Sequence, residues 1–311
     1  MNRSSIFKKK IDFGKSKGSY LFDKDSNKNY LDFFGQYSTL AIGYNHSIFN
    51  SKDYLKDIKS VAHQKITNCE ILSDESIEFD KIFRDYTSSA IFSHYHYSCT
   101  GALAIEAAIK TAMDYKGSDK KRIIAFKKSF HGINGYGGII TDRFGAVKQR
   151  LENFPGSYWG HVENPIIQYK DGKEIINEAL VNNVLNEVES IINKDNNVCS
   201  IIIEPIQCTY GDYYFPISFF TGLRELCTKY DIPLIFDEIQ VGFGTTGKLW
   251  YFEHLPIKPD IIVFGKKTQL SGIAVQNKFS KIFNKSIRLE VTWDADIMDM
   301  IRCKYIIKAY K

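Results

Sequence analysis

Residues 232–269 read IPLIFDEIQVGFGTTGKLWYFEHLPIKPDIIVFGKKTQ, and this segment indicates both the class of fold and a ligand site. It contains two short apolar runs typical of buried β-strands, Pro233 to Phe236 and Ile261 to Phe264. Asp237 follows the first run directly, and Lys266 follows the second run after one glycine. A buried charge at a strand end is costly unless something uses it, and ligands of open α/β sheets bind at that edge. The two side chains therefore predict a ligand held between two strands.

The chemistry of this pair is typical of pyridoxal 5′-phosphate. A carboxylate such as Asp237 keeps a pyridine nitrogen protonated, so that the ring can accept the electron pair left when a C–H bond breaks. Lys266 can carry the cofactor as an imine and then move a proton as a desolvated amine. In the alternative interpretation, Asp237 caps a turn and Lys266 is a solvated lysine beside Lys267.

Composition limits the class of protein and its partners. The chain has 311 residues, of which 44% are hydrophobic and 25% are charged, as in globular proteins with a substantial core. No apolar run reaches about 18 residues, so we expect no membrane span, and the basic amino-terminal segment lacks the apolar core of a secretory signal. The net charge of +5 is spread along the chain, so we expect no nucleic-acid partner. Six cysteines without a C-x-x-C pair indicate free thiols in the cytoplasm.

Residues 98–116 read SCTGALAIEAAIKTAMDYK and predict a helix that begins at Gly101. The free N–H groups of a first helical turn, together with the positive end of the helix dipole, suit an anion such as phosphate. Any capped helix has the same pattern, so a plain helix start is the alternative.

A strand, a helix and a second strand lead to Asp237. The run Val198–Ile203 is too apolar for a half-exposed strand, so it predicts a parallel sheet covered on both faces. Residues 217–231 predict the helix that returns the chain to the next strand. We expect Glu204 and Asp237 at one sheet edge, where Glu204 fixes either the ring substituents or the substrate amine. Nearer the amino end, residues 18–34 alternate as in a β-hairpin.

These segments resemble the class III (ornithine/GABA-type) aminotransferases from about Tyr20 to about Tyr305. The motifs DEIQVGFGTTGKLW and KPDIIVFGKK carry the resemblance, and EPIQ, FFTGLRELC, LIFDEIQ and FGKKTQ are most similar to L-lysine 6-aminotransferases. The resemblance implies the α/β fold of PLP-dependent transferases of fold type I. We therefore expect a large domain with a seven-stranded, mixed and mostly parallel sheet flanked by helices, and an incomplete small domain.

The resemblance also implies roles for individual residues. Phe130 is expected to stack on one face of the cofactor ring and Ile239 on the other, while Gln240 contacts the phenolic oxygen. In the alternative interpretation, Phe130 is a core residue and His131 a hydrogen-bonded one. The expected catalytic residues are Lys266 and Asp237, and the expected cofactor-binding residues are Gly101, Ala102, Phe130, His131, Glu204, Asp237, Ile239, Gln240, Lys266 and Thr292.

Alignment with the family assigns the imine to Lys266, directly after Gly265, and leaves Lys267 as the alternative if the register shifts by one residue. The segment EVTWDAD resembles the family's Thr-aromatic-Gly-Gly-Asn segment, so Thr292 is expected to reach the cofactor phosphate of the neighbouring subunit in a homodimer. The segment 37–47 resembles part of the substrate entrance, with a plain loop as the alternative.

The resemblance predicts three regions along the chain. Residues 1–50 are expected to form an amino-terminal arm and a small-domain segment. Residues 51–290 are expected to form the PLP-binding large domain, and residues 291–311 the start of a truncated carboxyl-terminal region.

Three departures from the family concern substrate binding. Lysine 6-aminotransferases have an arginine after the His-Gly pair, where this chain has Ile133. Thr209 lies in the segment that replaces Gly-Glu-Gly-Gly, so the family's gating glutamate is absent. The carboxyl-terminal arginine that binds the substrate carboxylate has no counterpart. These departures predict either a truncated or internally deleted copy, or a relative with an altered substrate.

The expected function is transfer of the terminal amino group of L-lysine to 2-oxoglutarate, which gives 2-aminoadipate 6-semialdehyde and glutamate. The partners are then a small amino donor and a 2-oxo acid acceptor, with no metal. The alternatives are another ω-aminotransferase, of the ornithine or 4-aminobutyrate type, and a catalytically degenerate paralogue.

Overall fold

The computed structural model describes residues 9–87, 90–117, 119–143, 158–285 and 288–311. The strands are β1 (Tyr20–Asp23), β2 (Lys28–Leu31), β3 (His94–Ser98), β4 (Arg122–Ile124), β5 (Gln168–Lys170), β6 (Lys173–Ile175), β7 (Val198–Ile203), β8 (Ile206–Gln207), β9 (Tyr213–Tyr214), β10 (Leu234–Asp237), β11 (Ile261–Phe264) and β12 (Ser271–Val275). The helices are α1 (Gly35–Ser38), α2 (Lys52–Val61), α3 (Asp74–Tyr86), α4 (Gly101–Lys116), α5 (Gly135–Ile140), α6 (Glu178–Lys194), α7 (Ile217–Lys229), α8 (Ser280–Phe283) and α9 (Ile297–Tyr310).

The central sheet of the described ranges has six strands in the order β3-β12-β11-β10-β7-β4. Strands β4, β7, β10 and β11 run parallel, whereas β12 is antiparallel to both of its neighbours, β11 and β3. The predicted α/β fold with a mixed, mostly parallel sheet is therefore confirmed. Ser271, the first residue of β12, pairs with Ser98, the last residue of β3.

We expected a seven-stranded sheet, but the central sheet of the described ranges has six strands. Next to β4, the seventh position is represented by an isolated parallel bridge between Phe126 and Val162. Gly160 has a φ of 72° and turns the chain just before this bridge. Pro165 follows soon after it and has no N–H group for further pairing. The short segment between Gly160 and Pro165 can therefore form little more than one bridge to β4.

Two hydrophobic cores cover the two faces of the sheet. Leu234 and Phe236 of β10 belong to the core that contains residues of α3, α6, α7 and α9, whereas Ile235 belongs to the core under α4. Successive residues of a strand point to opposite faces, so both faces of β10 are covered. Strand β7 is likewise buried along its whole length. The prediction of a doubly covered parallel strand at residues 198–203 is confirmed.

Both helices predicted around the site are present. Helix α4 begins at Gly101 because the preceding Thr100 has extended backbone and its side chain accepts a hydrogen bond from the N–H of Leu103. Helix α7 presents Phe219, Phe220, Leu223 and Cys227 to the core and leads back to β10. The strand, helix and strand of this unit place β7 and β10 side by side in parallel.

The two ends of the described chain pack on the same body. Strands β1 and β2 form the predicted amino-terminal hairpin. Helix α9 packs against α2 and α3, and its buried Lys304 donates 2.8 Å hydrogen bonds to the carboxylates of Asp57 and Glu78. All six cysteines are free thiols, as predicted. No helix in the described ranges is both long enough and apolar enough to span a membrane.

Candidate active site

The carboxyl ends of β10 and β11 open into a cavity of about 180 Å³. Strand β11 lies beside β10 in parallel, so the residues after both strands meet at one edge of the sheet. Every residue predicted to bind the cofactor lines this cavity, with the exception of Thr292. The lining residues are Gly101, Ala102, Ile105, Phe130, His131, Gly132, Glu204, Asp237, Ile239, Gln240, Lys266 and Ser271.

Lys266 reaches the cavity because the chain turns sharply after β11. Its φ of 56° lies in the left-handed region, which a lysine rarely adopts. Its Nζ donates a 2.9 Å hydrogen bond to Oε1 of Gln240. Burial lowers the pKa of Lys266, although the charge of Asp237 acts in the opposite direction. A lower pKa favours the neutral amine, which is the nucleophilic form.

Lys267 contacts the same glutamine in a different way. Its Nζ donates a 2.8 Å hydrogen bond to the backbone carbonyl of Gln240, and its side chain is buried outside the set of cavity-lining residues. Burial lowers the pKa of Lys267 to about 8, and the charge of Lys266 adds to the effect. Of the two neighbouring lysines, Lys266 is therefore the one that lines the cavity.

Asp237, the last residue of β10, faces His131 within the cavity wall. Oδ2 of Asp237 lies 2.9 Å from Nδ1 of His131, and both side chains are buried. Oδ1 of Asp237 accepts a 3.2 Å hydrogen bond from the N–H of Ile239. A carboxylate beside Nδ1 places the ring proton on that nitrogen. Nε2 of His131 is buried without a hydrogen-bond partner in the described structure.

Glu204 follows β7 and lies at the same sheet edge as Asp237, as predicted. Its Oε1 accepts a 2.7 Å hydrogen bond from the N–H of Phe130. Burial and the neighbouring charge of Asp237 raise the pKa of Glu204 well above its usual range. The raised pKa favours the neutral carboxyl, which limits repulsion between the two acids.

The start of α4 forms another wall of the cavity. The first N–H groups of a helix have no acceptor within the helix, so the amides of Gly101 and Ala102 are oriented to bind an anion. A Cβ atom on Gly101 would lie only 2.9 Å from Cδ1 of Ile239. The close approach of helix and loop therefore requires glycine at this position.

Gln240 connects the cavity to the segment 37–47. Besides the amine of Lys266, its Oε1 accepts a 3.4 Å hydrogen bond from Oγ1 of Thr209. Its backbone carbonyl accepts a 3.3 Å hydrogen bond from Oγ of Ser38. The segment predicted to form the substrate entrance thus lies beside the site, and its role in substrate entry stays a prediction.

This geometry agrees with the relatives of the chain. The family described as Aminotransferase class-III matches residues 3–310. The chain belongs to the class III aminotransferases. It is similar to the L-lysine-epsilon aminotransferase of Mycobacterium tuberculosis, with 29% identity over 314 residues that cover 96% of this chain and 69% of the relative. The 4-aminobutyrate aminotransferase of Saccharomyces cerevisiae is 31% identical over 323 residues, which cover 93% of this chain and 66% of the relative.

A solved structure of a lysine aminotransferase from M. tuberculosis, in the internal aldimine form, shares the fold with a TM-score of 0.89. Its sequence is 28% identical, and the match covers 99% of this chain and 73% of that chain. The expected PLP-dependent transferase fold is therefore confirmed.

Class III aminotransferases depend on pyridoxal 5′-phosphate, and the cavity of this member fits that cofactor. The start of α4 directs to the cavity first-turn amides, which have no acceptor within the helix and suit a phosphate, and no side chain has room at Gly101. Lys266 lines the cavity with an amine of lowered pKa, which suits the cofactor's aldehyde carbon. Asp237 has a buried side chain, and a carboxylate there suits the ring nitrogen. These residues therefore fit the phosphate, the aldehyde and the ring nitrogen of this cofactor.

Thr292 does not join the cavity of its own chain. Its side chain is exposed, and its carbonyl accepts a 2.5 Å hydrogen bond from Oγ1 of Thr67. The side chain of Asn68 holds the next residues through hydrogen bonds with Asp294 and with the carbonyl of Ala295. The expected contact with a neighbouring subunit stays a prediction.

Three lining residues were not among the predicted site residues: Ile105, Gly132 and Ser271. Ile105 lies one helical turn after Gly101, so helical spacing could have identified it. Ser271 reaches the site because β12 reverses direction directly after the lysine turn. Residues 265–270, which join β11 to β12, contain one glycine and no proline, and this pattern does not by itself predict a reversal of direction.

Proposed function

We propose that the protein transfers the terminal amino group of L-lysine to 2-oxoglutarate, forming 2-aminoadipate 6-semialdehyde and glutamate. The observation that carries the proposal is the convergence of Lys266, Asp237 and His131 on one cavity beside the start of α4. Relatives named L-lysine-epsilon aminotransferase match 96% of the chain and support lysine as the donor. The local motif of two adjacent lysines after Gly265 adds to this support.

Each residue then has a defined task. When bound, pyridoxal 5′-phosphate supplies an electron sink for the pair left by a broken C–H bond. Asp237 keeps a proton on the ring nitrogen, and His131 orients this carboxylate through the 2.9 Å contact. Nζ of Lys266 would hold the cofactor, and its amine, when free, would accept the proton from the substrate carbon that bears nitrogen. Its lowered pKa favours the neutral form of that amine, which is the form that accepts the proton.

The remaining wall residues position the groups. The amides of Gly101 and Ala102 would bind the phosphate, and Phe130 and Ile239 would flank the ring. Gln240 orients Lys266 through its Oε1 atom. Aromatic contact with a flat ring contributes on the order of 1 kcal/mol beyond the burial of area.

The proposal includes a homodimer in which Thr292 binds the phosphate of the neighbouring subunit's cofactor. Its exposed side chain, held on a segment fixed by Asn68, supports this arrangement. The proposal also includes a cytoplasmic location, which the six free thiols support. Analytical ultracentrifugation tests the dimer, since a monomer under all conditions contradicts this part of the proposal.

A second candidate is transfer from 4-aminobutyrate, which the 31% identity to the 4-aminobutyrate aminotransferase of yeast favours. One experiment separates the two candidates. Purified protein loaded with pyridoxal 5′-phosphate is mixed with L-lysine, L-ornithine or 4-aminobutyrate, and loss of its near-violet absorbance is followed. Rapid loss with L-lysine alone supports the leading proposal, and loss with 4-aminobutyrate alone supports the second. A band that no donor removes indicates a degenerate paralogue and contradicts both.

A further inference from the structure

Arg143 lies beside the cavity at a position that no sequence motif singles out. We propose that its guanidinium binds the carboxylate at the end of the substrate that is remote from the reacting amine. This inference rests on the proposed aminotransferase function, because its substrates are amino acids and 2-oxo acids. It identifies the residue that distinguishes a substrate with this carboxylate from a simple amine.

The backbone immediately before the arginine is fixed to the loop 128–132. The N–H of Asp142 donates a 2.9 Å hydrogen bond to the carbonyl of Ser129. Oγ1 of Thr141 accepts a 2.9 Å hydrogen bond from the N–H of His131. These bonds tie the segment to the same loop that contributes Phe130 and His131 to the cavity wall, so the arginine has a defined place at its edge.

The side chain of Arg143 extends to the ring of Phe130 at the cavity wall. Its Cζ atom lies 5.3 Å from the centroid of the Phe130 ring, and Phe130 lines the cavity. Such a contact between a guanidinium and an aromatic ring is attractive and holds the planar group against the ring. Arg143 is only half-buried, so a substrate that enters from solvent can approach it.

The positive charge of Arg143 acts on the amine of Lys266. It contributes to the lowered pKa of Lys266, after the larger effect of burial. The same positive charge is therefore close enough to attract a negative group on a molecule that reacts at Lys266. A substrate that places its amine at Lys266 can thus place its far end towards Arg143.

The acidic residues of the cavity wall do not suit a substrate carboxylate, whereas a guanidinium does. Asp237 and Glu204 contribute carboxyl groups to the cavity wall, so a substrate carboxylate is not favoured there. Guanidinium binds a carboxylate through two parallel hydrogen bonds, which fix both position and orientation. Ile133, next to this loop, is 71% exposed and offers no charge. Nζ of Lys128 lies over the rings of Tyr210 and Tyr213, at 5.1 and 4.7 Å from their centroids.

The test compares two donors that differ in this carboxylate alone, L-lysine and its decarboxylated form, 1,5-diaminopentane. The rate of absorbance loss at low donor concentration is measured for the wild type and for Arg143→Gln. We expect the variant to react with L-lysine about 10 to 100 times more slowly, because a hydrogen bond to a charged group is lost. The rate with 1,5-diaminopentane is expected to stay within about twofold of the wild-type rate, because this donor has no carboxylate for Arg143 to contact.

Two variants and a binding measurement serve as controls. Arg143→Lys retains the charge without the paired geometry and is expected to be intermediate. Arg288→Gln removes a guanidinium that pairs with Asp114 outside the cavity, and it is expected to behave as the wild type. Calorimetric titration with glutarate, which has carboxylates but no amine, is expected to show weaker binding to Arg143→Gln than to Arg288→Gln.

Three outcomes would overturn the inference. Equal slowing with both donors would indicate a general positioning role, and loss of the cofactor's absorbance would indicate a role in cofactor binding. Unchanged preference for L-lysine would show that another group binds the carboxylate. Failure of the proposed function looks different, because the wild type itself then reacts with no donor or with 4-aminobutyrate alone.

Discussion

Nδ1 of His131 lies 2.9 Å from Oδ2 of Asp237, and both side chains are buried. The two residues are 106 positions apart in the chain. The loop after β4 carries the histidine, and the end of β10 carries the acid. The contact therefore depends on the folded sheet and fixes the orientation of the carboxylate that is proposed to hold the ring nitrogen.

The first prediction concerns this carboxylate. Asp237→Asn keeps the shape but removes the negative charge, so the ring nitrogen loses its proton more easily. We expect kcat to fall at least about a hundredfold, as when a group that stabilises developing charge is removed. His131→Asn retains a hydrogen-bond donor for Asp237, so its kcat is expected to fall less than that of Asp237→Asn. Steady-state kinetics of cofactor-saturated protein measure both values, and an unchanged kcat in Asp237→Asn contradicts the assigned role.

The second prediction separates the adjacent lysines. Lys266→Ala is expected to abolish both turnover and the near-violet absorbance of the bound cofactor, because the amine that lines the cavity is removed. Lys267→Met is expected to retain the absorbance, since Oγ of Ser38 still donates to the carbonyl of Gln240. Absorbance spectra of the two variants, each reconstituted with pyridoxal 5′-phosphate, test this prediction. The reverse result would assign the covalent bond to Lys267.

The third prediction uses the close approach at Gly101. A Cβ atom there would lie 2.9 Å from Cδ1 of Ile239, so Gly101→Ala displaces the loop from the helix start. We expect affinity for pyridoxal 5′-phosphate to fall about tenfold or more, in line with the cost of overpacking. Ile239→Val removes the clashing Cδ1 atom, so the double variant is expected to recover much of the loss. Absence of recovery in a cofactor titration would refute the steric explanation.

The fourth prediction concerns stability and pH. Glu238 is buried, accepts hydrogen bonds from the N–H groups of Tyr251 and Phe252, and has its pKa raised to about 8 by burial. Between the ordinary pKa of 4.5 and about 8, the folded protein binds a proton that the unfolded chain has released. The contribution of Glu238 to the free energy of unfolding therefore falls as pH rises through this window.

Glu238→Gln cannot titrate, so we expect its free energy of unfolding to change less than that of the wild type between about pH 5 and about pH 8. Urea unfolding at several pH values gives both curves, and their difference isolates this one group from the other carboxyls. Parallel curves would show that Glu238 has the same pKa in both states.

The sequence predicted those parts of the site that follow from local patterns. The strands β7 and β11 were correctly bounded because each is an apolar run that ends at a polar or glycine residue. Helix α4 was correctly bounded at its start because Thr100 is an N-cap. These signals lie within a few residues of the feature they predict.

Contacts between distant segments could not be predicted in the same way. The seventh strand is a single bridge at Val162 because a turn at Gly160 precedes it, and neither residue is unusual on its own. Arg143 comes close to Phe130 only through backbone bonds that join two loops. Ser271 reaches the cavity only because β12 runs antiparallel to β11. Such placements depend on tertiary packing, which no local pattern encodes.

The pairing of Ser271 with Ser98 joins the two ends of the cavity through the sheet. Strand β12 begins at Ser271, just beyond the turn of Lys266 to Thr268 that carries the amine. Strand β3 ends at Ser98, just before Thr100 and the amides of the helix start. The register of one antiparallel ladder therefore sets the distance between the amine of Lys266 and the first amides of α4. A slip of one residue would shift one of these groups by about 3.3 Å relative to the other, which is more than the length of a hydrogen bond.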